Sequence, residues 1–135
     1  LILKRTDTVP LLSQLGVYEL TAGVLSGWVM VMTIEKPELL RRAGVRHLGR
    51  IRQAHLDLLM QGVILIAVGF AVDPLPTWIG VLLVLGAFLA PLLLAVLAFD
   101  AELQKGSTVY RAINTVVLAG FTIGWVALAI TAAGR

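Results

Sequence analysis

The sequence predicts an all-α integral membrane protein, a four-helix bundle in which neighbouring helices run antiparallel. Two observations carry the prediction. The first is composition: 59% of the 135 residues are hydrophobic and only 14% are charged, where a soluble domain carries about 25% charged residues. A chain this short keeps much of its surface exposed, so a single small core cannot hide that much apolar side chain from water. The second is spacing. Four apolar segments, 12–34, 54–72, 77–99 and 112–132, each approach the roughly 20 residues that a helix needs to cross a hydrocarbon core. Residues 1–135 read as one transmembrane domain.

Each segment has its own punctuation. The first follows Pro10, which suits a helix start because proline at the first helical position loses no needed N–H. It is too long for the core of a signal peptide. The second stops at Asp73-Pro74-Leu75-Pro76, so the second and third segments form a tight antiparallel hairpin. The third carries Pro91 in mid-run. Proline removes one backbone hydrogen bond and favours a kink there. Between the first and second segments, Pro37 to Ala43 predicts a short interfacial helix ending at Gly44.

Charge sets the expected orientation. The first–second and third–fourth connections share one side and carry Lys36, Arg41, Arg42, Arg46, Arg50, Arg52, Lys105 and Arg111. The other side has Lys4, Arg5 and Arg135. The positive-inside rule makes the arginine-rich side cytoplasmic and places both termini outside. Those arginines set topology and meet anionic headgroups. They lie in connections between apolar runs, so the net charge of +3 does not point to nucleic acid. The chain has no cysteine, which excludes disulfides, cysteine nucleophiles and zinc knuckles.

Small residues mark the faces at which membrane helices approach closely. Gly16, Glu19, Gly23 and Gly27 fall on one stripe of the first span. Glu19 is therefore expected to face protein, near the outer end and out of reach of His55, with Trp125 or Thr122 among its neighbours. A neutral, hydrogen-bonded packing role is the plainer reading of this residue. Gly120 and Gly124 repeat the four-residue spacing in the last span. Ser26 lies with the first stripe and reads as a packing residue.

The polar stretch Gly-Arg-Ile-Arg-Gln-Ala-His-Leu-Asp-Leu-Leu-Met-Gln-Gly (49–62) runs straight into the second span. It concentrates the chemistry of the chain. Ionisable groups entering a span are costly and point to function, and a neutral imidazole can ligate a metal or move a proton near pH 7. His55 shares a face with Leu59, Gly62 and Ile66, whereas Asp57 and Gln61 share another. Two polar faces on one helix are easier to bury in an oligomer. His47 is the only other histidine and precedes the same helix, so the two cannot ligate opposite faces of one haem within a subunit. A single axial histidine is compatible with the sequence, and it leaves the other iron position open. An interfacial histidine bonded to Asp57, a loop carbonyl or water is the plainer alternative. A zinc site lacks further ligands nearby.

Gln53-Ala54-His55, followed by Gln61-Gly62 and the apolar run 63–72, resembles the second span of the styrene oxide isomerases and is similar to that of the hydroxylaminobenzene mutases. Both are families of small four-span membrane proteins sharing Ala-His, then Asn-Gly, then an apolar run. Gln61 stands where the motif has asparagine, keeping the amide with a longer reach. The third span lacks the polar, tyrosine-bearing character of the isomerases' counterpart, and Tyr110 has no place in the motif. The resemblance implies a haem b held by His55 as axial ligand and a trimer building the site between subunits. It also implies a redox-neutral rearrangement of a small apolar epoxide or arylhydroxylamine. Gln61 would position substrate or the distal ligand, with Asp57 orienting either. Two other readings stay open: a non-enzymatic accessory subunit of a larger membrane assembly, and a haem-binding sensor or electron carrier.

Overall fold

The computed structural model describes residues 9–135; Lys4 and Arg5, counted above in the charge balance, lie outside them. The order is α1 (Leu11–Glu35), α2 (Pro37–Arg42), α3 (Leu48–Ala71), α4 (Thr77–Phe99), α5 (Leu103–Gly106) and α6 (Thr108–Ala133). Four of these, α1, α3, α4 and α6, are long and apolar enough to cross a membrane. The chain is an all-α membrane protein built on four long helices.

Three of the four predicted spans match their helices within four residues at each end. The exception is the start of α3, which begins six residues before the predicted 54. Its first two turns carry Arg50 and Arg52, so hydropathy marks the apolar stretch and not the helix. Such turns stand at headgroup level, where long basic side chains reach water or phosphate. The interfacial helix is also present. Lys36 precedes Pro37 at the first position of α2, Leu40 is buried beneath it, and Gly44 follows its end at φ 101°. That left-handed conformation is one glycine adopts without steric cost.

The long helices pack in chain order, α1 on α3, α3 on α4 and α4 on α6, with slight contact between α1 and α4. The α1–α3 seam is the closest. A Cβ on Gly16 would lie 2.7 Å from the Gly62 carbonyl oxygen and the Ile66 nitrogen. One on Gly62 would lie 2.7 Å from the Leu20 nitrogen. Ser13 fills the space opposite Gly69 and donates to the Ile66 carbonyl at 2.8 Å. Lipid tails offer no hydrophobic drive between helices, so this backbone approach and its dispersion contacts hold the pair.

Leu65, Ile79, Leu83, Ala87 and Leu128 form the core between α3, α4 and α6. Gly124 admits Leu82 and Leu83 of α4, and Gly86 admits Phe121, whose ring meets Trp125 edge-on at 6.2 Å. Pro91 is fully buried, and α4 continues through it as one helix. Tyr110 donates its hydroxyl to the Leu93 carbonyl at 2.9 Å and so ties α6 to α4.

Both basic connections meet at one end of the molecule. The Arg46 and His47 N–H groups each donate to the Ala98 carbonyl at 2.9 Å, and Arg50 donates to Gln104 of α5. At the opposite end Arg135 donates to the Pro74 carbonyl. Away from the seams α1 and α6 are apolar and exposed, with Trp28 at 73% and Val116 at 71%. The hydroxyls there are matched internally: Thr21, Thr115 and Thr122 each donate to the carbonyl four residues back. That is what a hydrocarbon surround requires of a hydroxyl.

Candidate functional site

His55 stands two turns into α3 on the face turned to α1, with Leu59, Gly62 and Ile66 on the same face, as the helical spacing predicts. Its Nδ1 lies 2.8 Å from Ser26 Oγ. Ser26 Oγ also lies 2.6 Å from the Gly23 carbonyl oxygen. A carbonyl only accepts, and a serine hydroxyl has one hydrogen. Ser26 therefore donates to Gly23 and accepts from His55 Nδ1–H. This puts a proton on Nδ1, so in the neutral imidazole the free lone pair is on Nε2. Among the described residues Nε2 has no hydrogen-bond partner, and it is not sealed inside them. Gly27 sits across from the ring, where a Cβ would come no closer than 3.5 Å to His55 Cε1.

Ser26 is thus the positioning group for His55 and not merely a packing residue. Its partner could have been found by pairing the glycines of the two helices. Gly16 opposite Ile66 and Gly23 opposite Leu59 fix an antiparallel register that brings residue 27 to residue 55.

Asp57 and Gln61 form a separate group. Gln61 Nε2 donates to Asp57 Oδ1 at 3.4 Å, while Gln61 Oε1 is buried without a partner. Within one subunit the two are brought together, but not onto the face of His55, as one helical turn between positions 57 and 61 dictates. His47 is exposed at the start of α3, its backbone committed to Ala98.

Glu19 faces protein as its place on the glycine stripe predicts, at 0% exposure, and neither carboxyl oxygen has a hydrogen-bond partner. Its surroundings differ from expectation. Trp125 packs in the core built on α3, α4 and α6, and Thr122 is exposed and bonded to its own helix. The helix against which α1 packs is α3. The reason is the helix order: α1 lies on α3, and α6 lies beyond on α4.

Among the described residues no three His, Asp or Glu side chains gather into a metal-binding group. The chemistry of the site suits a group bound through one imidazole: among the described residues Nε2 of His55 is unbonded and not sealed inside, and Gly27 leaves the ring uncrowded. A groove of about 390 Å³ lies at the other end of the molecule between α1 and the start of α4, lined by Leu12, Leu15, Val72, Leu75, Val81 and Val84 among others. It is separate from His55. No protein-family model, curated protein or solved structure matches this chain.

Proposed function

We propose that the protein is a membrane-embedded, haem-dependent isomerase or mutase of the styrene oxide isomerase and hydroxylaminobenzene mutase type. Its substrate would be a small apolar molecule, an epoxide or an arylhydroxylamine, entering from the bilayer. The observation that carries the reading is the Ser26–His55 pair, which presents an unengaged Nε2 at the surface of the helix pair. Ligating histidines characteristically donate their other ring nitrogen to an oxygen acceptor, which fixes ring orientation and tautomer. A ferric haem b, when bound, supplies a Lewis acid for the substrate oxygen.

The chain's own residues have these parts. His55 would hold the group through Nε2. Ser26 keeps the proton on Nδ1 and stops the ring from turning. Gln61 does not share the face of His55 in its own subunit, so a role in positioning substrate would require a site completed by a neighbouring copy, as in a trimer, and a turn of its side chain away from Asp57. The exposed apolar flanks of α1 and α6 offer the surface for such an assembly, and equally for a larger partner if the chain is an accessory subunit. Of the two other readings, the sensor or electron carrier keeps the haem and lacks turnover.

The test is an absorption spectrum of the protein purified in detergent after expression with haem, beside His55→Ala. The expected result is a strong Soret band in the wild type that is lost in the variant. A band of equal strength in His55→Ala removes His55 as the ligand. No band in the wild type removes the mechanism and selects the accessory-subunit reading. Reversible redox cycling without turnover of epoxides or arylhydroxylamines selects the sensor.

The orientation belongs to the same proposal. The end bearing α2, α5 and the arginines faces the cytoplasm and both termini face outward. Tags at each terminus of the protein in intact cells should be cut by added protease. Protection of the C-terminal tag would reverse the assignment.

A further inference from the structure

The groove at the end away from the arginines has a polar mouth and an apolar length. α1 and α4 both pack on α3 but make only slight contact with each other, so their first turns stand apart. Leu12 and Leu15 of α1 and Val81, Val84 and Leu85 of α4 line the space between them, about 390 Å³. Ligand sites are mostly apolar with a few placed polar groups. The polar side chains here are Asp73 and Thr77, and both lie at one end. Thr77 begins α4 and Asp73 lies in the connection before it. From Thr77 to Leu85 the helix advances about 12 Å. The groove therefore runs from the membrane surface into the hydrocarbon, polar first and apolar below. Trp78, 55% exposed beside Thr77, marks the headgroup level, where amphipathic aromatic rings collect.

An apolar surface by itself takes any lipid. This groove ends on charges that can choose. Among the described residues Asp73 makes no ion pair. Arg135 donates to the carbonyl of Pro74, the residue next to Asp73, so a guanidinium stands near the carboxylate at the same mouth. Such a pair suits a head that carries both signs. An ammonium donates charge-assisted hydrogen bonds to a carboxylate, and a guanidinium matches a phosphate. A head with negative charge alone meets Asp73 as a like charge. A quaternary ammonium has no N–H to donate.

We infer that this groove is a site for one phospholipid with an ethanolamine head, its ammonium on Asp73, its phosphate toward Arg135 and one acyl chain between α1 and α4. Gly80 helps to keep the slot open. It lines the groove, and a Cβ there would meet only Leu75 Cδ2, at 3.8 Å. Residue 80 can therefore carry a larger side chain that fills the slot and leaves the helix packing alone. The inference does not rest on the haem, because the groove lies at the end of the molecule away from His55.

The experiment is native mass spectrometry of the full chain in detergent. It is titrated with phosphatidylethanolamine, phosphatidylcholine and phosphatidylglycerol that bear the same acyl chains. The expected result is one phosphatidylethanolamine per chain, held about tenfold more tightly than either of the others, the scale of one hydrogen bond to a charged group. Asp73→Asn should hold the ethanolamine lipid no more tightly than the choline lipid. Gly80→Leu should lose the selected lipid while keeping the helical circular dichroism of the wild type. Asp73 is exposed, so Asp73→Asn still decides the matter should Gly80→Leu fail to fold. Equal retention of the three lipids by the wild type overturns the inference and leaves the groove as unselective lipid-facing surface. A preference that survives Asp73→Asn, or survives Gly80→Leu in a folded protein, overturns it as well. The same spectra count copies. An oligomer that selects no lipid and falls to single chains in Gly80→Leu gives the groove to a second copy. A preference that emerges only when residues 1–8 are removed gives it to the chain's own first residues. Any of these failures would leave the His55 spectrum untouched, so the two readings stand or fall separately.

Discussion

Gly62→Leu should separate α1 from α3, and Gly62→Ala should weaken their packing by about 1–3 kcal/mol, the usual range for overpacking a close contact. The reason is what the new atoms would meet. A Cβ at residue 62 lands 2.7 Å from the Leu20 nitrogen, 2.8 Å from its Cα and 2.9 Å from the Gly16 carbonyl oxygen. These are backbone atoms of a helix and cannot swing aside as a side chain can. Alanine is favoured over glycine inside a helix by about 1 kcal/mol, which offsets part of the loss but not the clash. Gly49 is the internal control. It lies in the first turn of the same helix with nothing within 4 Å of its Cβ position, so Gly49→Ala should be neutral or slightly stabilising. Reversible unfolding in mixed micelles, followed by tryptophan fluorescence from Trp28, Trp78 and Trp125, measures both. Equal stability of Gly62→Ala and Gly49→Ala would show that the seam is looser than described.

The same seam shows what a sequence of this kind discloses. The spans were legible because hydropathy is a property of single residues summed over a window, and α4 begins and ends where the apolar run does. The face of each helix was legible too, from the spacing of Gly16, Glu19, Gly23 and Gly27, and from that of His55, Leu59, Gly62 and Ile66. The register between the two faces was not. It depends on which glycine notch receives which backbone, a pairing of two helices and not a property of either. Ser26 therefore reads from the sequence as a packing residue, and its bond to His55 follows only from the pairing of α1 with α3. The neighbours of Glu19 were misplaced for a related reason. Its burial follows from one helix, but its partners follow from the order in which the helices pack. The start of α3 was misplaced by six residues because Arg50 and Arg52 are helical and charged at once. At a membrane surface the two properties are compatible.

Ser26→Ala should weaken haem binding about 10–100-fold, the range typical of removing the group that orients a ligating histidine, while leaving the four helices assembled. Ser26 is half-buried and holds His55 through a single 2.8 Å contact. Without the oxygen, Nδ1–H has no partner there, and the ring is free to turn about its bond to Cβ. The space beside Gly27 gives it room to do so, since the nearest approach at that position is 3.5 Å. Either tautomer then becomes accessible, and the arrangement in which Nε2 alone is free loses its advantage. Gly27→Ala separates the two effects. An added methyl there makes ordinary van der Waals contact with the ring, so binding should be kept or slightly improved while Ser26 is present. Ser26→Thr retains the hydroxyl and should bind much more tightly than Ser26→Ala. Titration of each apo-protein with haem, read at the Soret band, gives the dissociation constants. If Ser26→Ala binds as the wild type does, the serine is not what orients the ligand, and the tautomer assigned from its two hydrogen bonds has no bearing on ligation. If its binding falls while Ser26→Thr and Gly27→Ala hold theirs, the hydroxyl itself is responsible, and a residue on the first span governs a ligand carried by the next.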